Sequence, residues 1–187
     1  MLFPEGVKID SKTGAMTPST GHYSKRLSEL AEIFCDRAAF GRAVAERDDP
    51  VVYEVIDYRK PKSDICFGTT IMSPGTVGQE YYMTRGHFHE RRDCGETYFT
   101  QSGEGLLLLE SRDGETRSVE MRPGVCAFIP PDWAHRSVNT GNDKLIFAWF
   151  CATDAGHDYG AILTRGMRKL VVERGGRCVL VDNPNFG

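Results

Sequence analysis

Two histidines one residue apart, His87 and His89, stand in a stretch that also holds Glu96, TRGHFHERRDCGETYFTQSGEG (residues 84–105). On a β-strand, residues two apart point to the same face, so both imidazoles would project together. Two neighbouring imidazoles are natural ligands for a divalent transition metal, and a carboxylate from the next strand would add an oxygen ligand. This spacing therefore indicates a metal site with Glu96 as its third ligand.

A fourth ligand is available at His135, in the stretch GVCAFIPPDWAHRSVN (residues 124–139). A β run there enters a Pro-Pro turn and leaves toward another strand, which an antiparallel barrel can bring beside the histidine pair. A surface or hydrogen-bonded role explains an isolated histidine such as His22 better, and an HxH pair alone is as consistent with chance as with a metal. Glu96 and His135 together favour the metal. A zinc finger is disfavoured, because no cysteine pairs with these histidines at the usual spacing.

The elements that must position these side chains are mainly β-strands. After Pro50 short apolar runs alternate with turn residues, which is typical of a β-sandwich or barrel. Residues 1–22 are expected to form an irregular arm, followed by a helix from about Ser24 and a second helix over residues 37–46. The predicted strands are VVYEVIDY (51–58), FGTTIMS, QEYYMT, ETYFTQ, GLLLLES, TRSVEM, VCAFIP, KLIFAWF, KLVVE and RCVLVD.

The composition predicts one globular domain, because 187 residues without a recognisable linker fit a single unit. We expect an N-terminal arm and helices over about residues 1–50 and a β-barrel core over about residues 51–184. A formal net charge of −3 excludes a general attraction for nucleic acid, so local groups such as Arg85 must capture any anionic substrate. Dispersed cysteines, no signal peptide and no long apolar run predict a reduced, cytoplasmic protein without a membrane partner.

Both histidine-bearing stretches resemble the two sequence motifs of the cupin family. The matching residues are His87, His89, Glu96 and Gly103 in the first motif and Gly124, Pro130, His135 and Asn139 in the second. The long spacing between His89 and Glu96 is similar to that of the cupin-type phosphoglucose isomerases. The resemblance to these isomerases covers nearly the whole chain, from about Phe3 to Pro184. The similar segments are DPVVYEV (49–55), TTIMSPGTVGQE (69–80), TRGHFH (84–89), PPDWAHRSVN (130–139), DAGHDYG (154–160) and VDNP (181–184). The resemblance implies a mainly β fold, a cupin β-barrel or jelly roll (double-stranded β-helix) with short N-terminal helices.

The resemblance also implies an activity and a cofactor. The four candidate ligands would hold Fe(II), or another divalent transition metal such as Mn, Ni or Zn. The protein would be an aldose-ketose isomerase that interconverts glucose 6-phosphate and fructose 6-phosphate in glycolysis and gluconeogenesis. The catalytic residues would be Glu96, Tyr98 and His135. Glu96 is the family's usual base for a cis-enediol route, a hydride shift needs no base, and Tyr98 could orient the substrate or help a proton move.

Five further residues match substrate-binding positions of that family: Tyr53, Thr70, Thr84, Gly86 and Tyr159. Hydroxyl and backbone N–H groups suit a phosphate, and glycine allows close backbone approach. The two tyrosines match aromatic positions near the pocket. Taken singly, each threonine could equally be an ordinary β-sheet residue, and each tyrosine a core aromatic.

Two positions depart from the family pattern. Asp132 and Cys151 stand where its members tend to carry tyrosine, and the second cupin motif usually has glycine at position 132. These changes leave open another sugar phosphate, such as mannose 6-phosphate, as the substrate. An Fe(II) cupin dioxygenase and a sugar-sensing or storage cupin are further alternatives. His157 is expected to be a hydrogen-bonded structural residue.

A homodimer is expected, because barrel cupins commonly pair through edge strands or arms, which covers exposed strand edges. The N-terminal strands or helices would form the interface.

Overall fold

The strands of the protein pair antiparallel, in a computed structural model that describes residues 3–187. In chain order the strands are β1 (Lys8–Ile9), β2 (Met16–Thr17), β3 (Gly21–Arg26), β4 (Val51–Tyr58), β5 (Ile65–Met72), β6 (Thr76–Val77), β7 (Glu80–Tyr81), β8 (Glu96–Ser102), β9 (Gly105–Ser111), β10 (Thr116–Met121), β11 (Cys126–Ile129), β12 (Trp133–Asn139), β13 (Leu145–Ala152), β14 (Lys169–Arg174) and β15 (Arg177–Asp182). The helices are a 3-10 helix (Leu27–Ile33), α1 (Arg37–Glu46) and α2 (Gly160–Arg165).

Two sheets supply the walls of the barrel. The large sheet has the order β11-β8-β13-β5-β4-β3, and the small sheet has the order β10-β9-β12. The chain segment before β8 runs along the free edge of β12, through isolated bridges that join Met83 to Val138 and His87 to His135. The mainly β, cupin-type fold predicted from the sequence is confirmed by this arrangement of antiparallel sheets.

The alternation of side chains along β8 separates the core from the surface. Glu96, Tyr98 and Thr100 are buried, whereas Phe99 between them is 41% exposed. The Tyr98 ring stacks on Phe147 of the neighbouring strand β13, with ring centroids 4.7 Å apart. Because β-strand side chains alternate between faces, Glu96 and Tyr98 must enter the barrel together.

The N-terminal region differs from the sequence prediction. Strand β3 lies where an arm and the start of a helix were expected, and it pairs with β4 at the edge of the large sheet. The helix begins only at Leu27, and it is a 3-10 helix. Its buried residues Leu27, Leu30 and Ile33 recur every three positions, which is the period of a 3-10 helix. Strands β1 and β2 also pair within the arm that was predicted to be irregular.

The second helix and the C-terminal strands follow the prediction. Helix α1 covers the predicted residues 37–46, and the Asp36 carboxylate caps it by accepting the Ala39 N–H at 2.8 Å. The strands β14 and β15 form a hairpin. Helix α2 was not predicted, and of the predicted strand QEYYMT only β7 is regular. Within residues 3–187, no helix has the length and hydropathy needed to cross a bilayer.

A buried carboxylate joins the small sheet to the C-terminal part of the chain. Glu110 on β9 is fully buried and pairs with the guanidinium of Arg165 at the end of α2. Its second oxygen accepts the backbone N–H of Arg168 at 2.6 Å, directly before β14. This one side chain therefore fixes the position at which the chain leaves α2 and returns to a sheet.

We expect Glu110→Ala to lower the free energy of unfolding by about 3 kcal/mol, because it leaves a guanidinium and a buried N–H without their acceptor. Urea unfolding followed by circular dichroism measures the loss. Glu115→Ala is the matched control, since it removes an ion pair with Arg117 that is half exposed and should change stability by less than about 1 kcal/mol. Equal losses in the two variants would contradict the assignment.

Candidate metal centre and substrate cavity

Four potential ligands converge from three parts of the chain. His87 and His89 come from the segment along the edge of β12, Glu96 begins β8, and His135 lies within β12. One ligand atom of each residue lies within 4.8 Å of the ligand atoms of the other three. The structure thus brings together the set that the sequence motifs suggested.

Backbone carbonyls orient two of the imidazoles. Nδ1 of His89 lies 3.1 Å from the Cys94 carbonyl oxygen, and Nδ1 of His135 lies 3.2 Å from the Trp133 carbonyl oxygen. A carbonyl can only accept, so in both rings Nδ1 carries the proton and donates it. Nε2 of each ring faces the cluster, where it can carry a second proton and donate to Glu96 or lose that proton and ligate a metal, as in protein metal sites where a second hydrogen bond fixes the ring.

The polar atoms at the centre of the cluster fit a cation. Nε2 of His89 and Nε2 of His135 lie 3.2 and 3.0 Å from the same carboxylate oxygen of Glu96. Nε2 of His87 is buried and has no hydrogen-bond partner among the described residues. Buried nitrogens without a partner are rare in folded proteins. The donor set, three imidazole nitrogens and one carboxylate, suits a divalent transition metal.

The protonation states also favour metal binding. Burial raises the pKa of Glu96, but its hydrogen bonds to His135 and His89 outweigh this effect and hold the pKa at about 2. Burial and the neighbouring imidazoles lower the pKa of His87 well below its usual value. Near neutral pH the carboxyl is therefore ionised and His87 is neutral, which are the forms that bind a metal. Burial lowers the pKa of His89, but the hydrogen bond to Glu96 outweighs it and raises this pKa, so a bound cation would have to replace that proton.

The cluster opens into a cavity of about 250 Å³. Tyr98 and all the residues predicted to bind substrate line this cavity: Tyr53, Thr70, Thr84, Gly86 and Tyr159. The lining also includes the cationic side chains Arg59 and Arg85. The carboxylates of Asp57 and Glu96 line the same cavity, so the positive charge is local to these two arginines.

The chain turn at residues 84–86 presents suitable groups for an anion. Thr84 Oγ1 accepts the Ser137 backbone N–H at 3.0 Å, which leaves its hydroxyl hydrogen free to donate elsewhere. Gly86 has a φ of +78°, and a Cβ there would meet Arg136 side-chain atoms at 3.1 and 3.2 Å. Glycine is thus required both by the turn and by the close packing beneath it.

A buried cation supports this turn from behind. Arg136 is 3% exposed, and its Nη2 donates to the Arg85 carbonyl oxygen at 2.6 Å. Burial lowers the pKa of Arg136 to about 10, so the guanidinium remains charged at neutral pH. Its role was not recognised in the sequence, where it follows His135 as an ordinary strand residue.

Several residues that line the cavity were not identified from the sequence. Tyr23 lies on β3, which was not expected to be a strand. Asp57, Arg59 and Trp149 form a polar and aromatic part of the wall. Arg59 Nε donates to Asp57 Oδ2 at 3.1 Å, and its guanidinium carbon lies 5.6 Å from the centre of the Trp149 ring. The only sequence signal that these residues face the cavity is the alternation of side chains along β4 and β13.

His157 lies beside the cluster without joining it. Its ring centroid is 4.4 Å from that of His87, and the ring stacks on Tyr159. Burial lowers the pKa of His157, so the ring is neutral at neutral pH. The hydrogen-bonded structural role expected from the sequence stays a prediction, and in the structure this histidine lines the cavity.

The two departures from the family pattern lie in different places. Asp132 is outside the cavity lining, where its carboxylate pairs with Arg92 and Arg112. Its φ is +62°, in the left-handed region that favours glycine, which agrees with the glycine usual at this position of the motif. Cys151 does line the cavity. Only the second departure therefore changes the surface that a ligand would meet.

An antiparallel barrel with three histidines and one glutamate turned into its cavity defines a cupin with a candidate metal site. The family model of "Glucose-6-phosphate isomerase (GPI)" matches residues 24–186. The glucose-6-phosphate isomerase of Thermococcus litoralis is 44% identical over 185 residues, covering 98% of this chain and 96% of that protein. The putative glucose-6-phosphate isomerase 1 of Rhizobium meliloti is 43% identical over 187 residues, covering 98% of this chain and 87% of that protein. The chain belongs to the glucose-6-phosphate isomerase family.

A solved structure of the Bacillus subtilis oxalate decarboxylase overlaps 55% of this chain and 26% of its own chain, with 20% identity and a TM-score of 0.47.

We expect His135→Ala to weaken metal binding by more than about 100-fold, because it removes one of four ligands, whereas loss of a mere supporting group costs about 10–100-fold. Metal content after reconstitution and desalting, measured by elemental analysis, gives the result. Circular dichroism should show that the barrel remains folded.

His157→Ala is the matched control for this experiment, because it removes a cavity histidine that lies outside the cluster. It should keep the metal content of the unmodified protein. A His135→Ala protein that retains a full equivalent of metal would overturn the assignment of the four ligands.

Proposed function

We propose that this chain catalyses the reversible interconversion of glucose 6-phosphate and fructose 6-phosphate. The main observation in support is that one cavity combines the four candidate metal ligands with hydroxyl, backbone and cationic groups suited to a phosphate. Relatives that bear the name glucose-6-phosphate isomerase align with 98% of the chain, which supports the same reaction. The chain acts in glycolysis and gluconeogenesis in the cytoplasm.

The proposed domain organisation is a single cupin domain over residues 1–187. It consists of an N-terminal arm and helices to about residue 50 and a barrel core over about residues 51–184, to which β3 adds an edge strand.

The proposed cofactor is Fe(II), with Mn, Ni or Zn as replacements. His87, His89, Glu96 and His135 would hold it. When bound, such an ion supplies Lewis-acid polarisation of the sugar oxygens at C1 and C2.

Glu96, Tyr98 and His135 serve the reacting end of the sugar. In a proton-transfer route Glu96 is the base that moves a proton between C1 and C2, although a pKa of about 2 makes it a weak one. A hydride shift would need no base. His135 acts through Glu96, whose oxygen it contacts at 3.0 Å. Burial, and secondarily the charge of Glu96, raises the pKa of Tyr98 far above its usual value, so this hydroxyl stays protonated and orients the substrate as a donor.

The other end of the cavity holds the phosphate. Thr70, Thr84 and the backbone at Gly86 donate to it, and the buried guanidinium of Arg136 adds positive charge behind the turn. Tyr53 and Tyr159 hold the sugar between the two ends. Burial raises the pKa of both phenols, so both keep their protons and can donate to sugar oxygens.

We expect chelator-treated protein to be inactive toward fructose 6-phosphate and added Fe(II) to restore activity, because polarisation of the sugar oxygens requires the metal. A coupled assay that detects glucose 6-phosphate measures both states. His135→Ala assayed with Fe(II) is the control that links activity to the cluster.

Assays with mannose 6-phosphate and of oxygen uptake separate this proposal from its alternatives. Faster isomerisation of mannose 6-phosphate than of fructose 6-phosphate would reassign the substrate. Metal-dependent oxygen uptake with no isomerisation would indicate dioxygenase chemistry. Full isomerase activity in metal-free His135→Ala protein would contradict a metal-dependent mechanism.

We also propose that the chain forms a homodimer through the outer face of the large sheet. Four directly opposed residues lie side by side across four strands of this face: Phe128, Thr97, Phe150 and Phe67. Phe128 is 67% exposed and Phe150 is 41% exposed. A second copy of this chain would cover these rings, because large exposed aromatic surfaces are unusual on an isolated soluble domain. The N-terminal strands or helices expected from the sequence remain the alternative interface.

We expect Phe128→Asp to convert the dimer into a monomer, because it buries a carboxylate between two apolar faces. Sedimentation velocity measures the mass of the species. Leu180→Asp on β15 is the matched control, since Leu180 is 39% exposed but lies on another sheet, and it should leave the dimer intact. A dimer that survives Phe128→Asp would exclude this interface.

A further inference from the structure

Two cysteines face each other on the inner side of the large sheet. Cys66 of β5 and Cys151 of β13 are directly opposed residues of antiparallel strands, and their sulfur atoms lie 3.5 Å apart. Directly opposed residues have Cβ atoms about 4.5–5.5 Å apart, whereas a disulfide needs about 3.5–4.5 Å, so only a small approach of the strands is required. Among the described residues all six cysteines are free thiols.

The cavity provides access to this pair. Cys66 is fully buried, but Cys151 is partly exposed and lines the cavity. A small reagent that enters the cavity can therefore reach the Cys151 sulfur, while Cys66 lies behind it as a second thiol. A hydrogen bond between the two sulfurs lowers the pKa of Cys66 and raises the pKa of Cys151, so Cys66 is the thiol that ionises first.

We propose that Cys66 and Cys151 form a reversible disulfide when the cavity admits a low-molecular-weight disulfide. The Cys151 sulfur attacks one sulfur of the reagent as the Cys66 thiolate takes its proton, and a mixed disulfide forms. The leaving thiolate then takes that proton from Cys66 and departs as a thiol. The Cys66 thiolate then attacks Cys151, forms the Cys66–Cys151 bond and releases the second thiol. The protein loses two electrons and two protons, and the reagent gains them as it is reduced to two thiols.

The bond would alter the candidate metal site. Glu96, Cys151 and Cys66 occupy directly opposed positions on three adjacent strands, so the three side chains stand in one row on the inner face. A disulfide brings two sulfurs from 3.5 Å to about 2.05 Å apart, which must move the backbone or side chain next to Glu96. Since sites of this kind tolerate displacements of only about 0.5 Å, we expect a several-fold fall in isomerase activity, an expectation that rests on the proposed function.

The test uses full-length protein in which the two exposed cysteines are replaced, Cys126→Ser and Cys178→Ser. This protein is treated with 2-hydroxyethyl disulfide under native conditions, analysed by intact mass, and then alkylated for peptide mapping. We expect a loss of about 2 Da, corresponding to two hydrogens, and a linked pair of peptides that contain Cys66 and Cys151. Dithiothreitol should reverse both changes.

Two further variants separate the steps. With Cys66→Ser added, the reaction should stop at a mixed disulfide on Cys151, because the second thiol is missing. With Cys151→Ser added, Cys66 should remain reduced. An unchanged mass, or a mixed disulfide on Cys151 that persists while Cys66 is present, would overturn the proposal.

The mass measurement needs no turnover, so a failure of the proposed isomerase activity leaves it intact. Where the isomerase activity is present, the bridged protein should lose several-fold in activity and regain it with dithiothreitol. The Cys151→Ser protein should be equally active before and after treatment. Full activity in completely bridged protein would refute the effect on the site while the bond itself stood.

Discussion

The buried carboxylate of Glu96 is the constraint on which the rest of this barrel depends. A charge removed from water is costly unless partners surround it, and here His89 and His135 approach the same oxygen at 3.2 and 3.0 Å. These partners come from different elements, so satisfying one carboxylate fixes the large sheet, the small sheet and the segment along β12 relative to one another. Backbone carbonyls then hold the imidazoles, and the cluster becomes part of the core as well as a ligand set.

The turn at residues 84–86 lies where an anionic ligand would be bound, in contrast to the buried carboxylate of Glu96, which belongs to the protein. An anionic ligand must be attracted into a protein that is negative overall. The positive groups that line or underlie the cavity are Arg59, Arg85 and the buried Arg136. Because Arg136 is enclosed by protein, its charge is screened less than that of a surface arginine. The glycine at position 86 allows the backbone to pass within contact distance of that guanidinium. The absence of a side chain at this position therefore brings the turn close to the positive charge of Arg136.

The sequence was sufficient to predict the barrel and to bring the candidate ligands together, because both depend on a period of two along strands and on distinct motifs. It failed where several weak signals compete. Gly21–Arg26 alternates poorly and is largely polar, so its pairing with β4 is a tertiary effect that a local pattern does not contain. Tyr23 was missed for the same reason, whereas Arg59 was missed because it lies just past the end of β4. Asp132 stays outside the cavity lining because of its positive φ and its ion pairs with Arg92 and Arg112. Neither the φ nor this pairing can be read from the sequence.

The positions of the lining residues divide the cavity into two parts with different freedom to change. The candidate ligands lie on β8, β12 and the segment beside β12, whereas much of the remaining wall comes from β3, β4, β5 and β13. A substitution on the second group, such as the cysteine at position 151, alters what the cavity admits without removing a ligand atom. An evolving lineage could therefore explore new sugars by drift along these strands while it retained its reactive centre, and an engineer could randomise the same strands for that purpose.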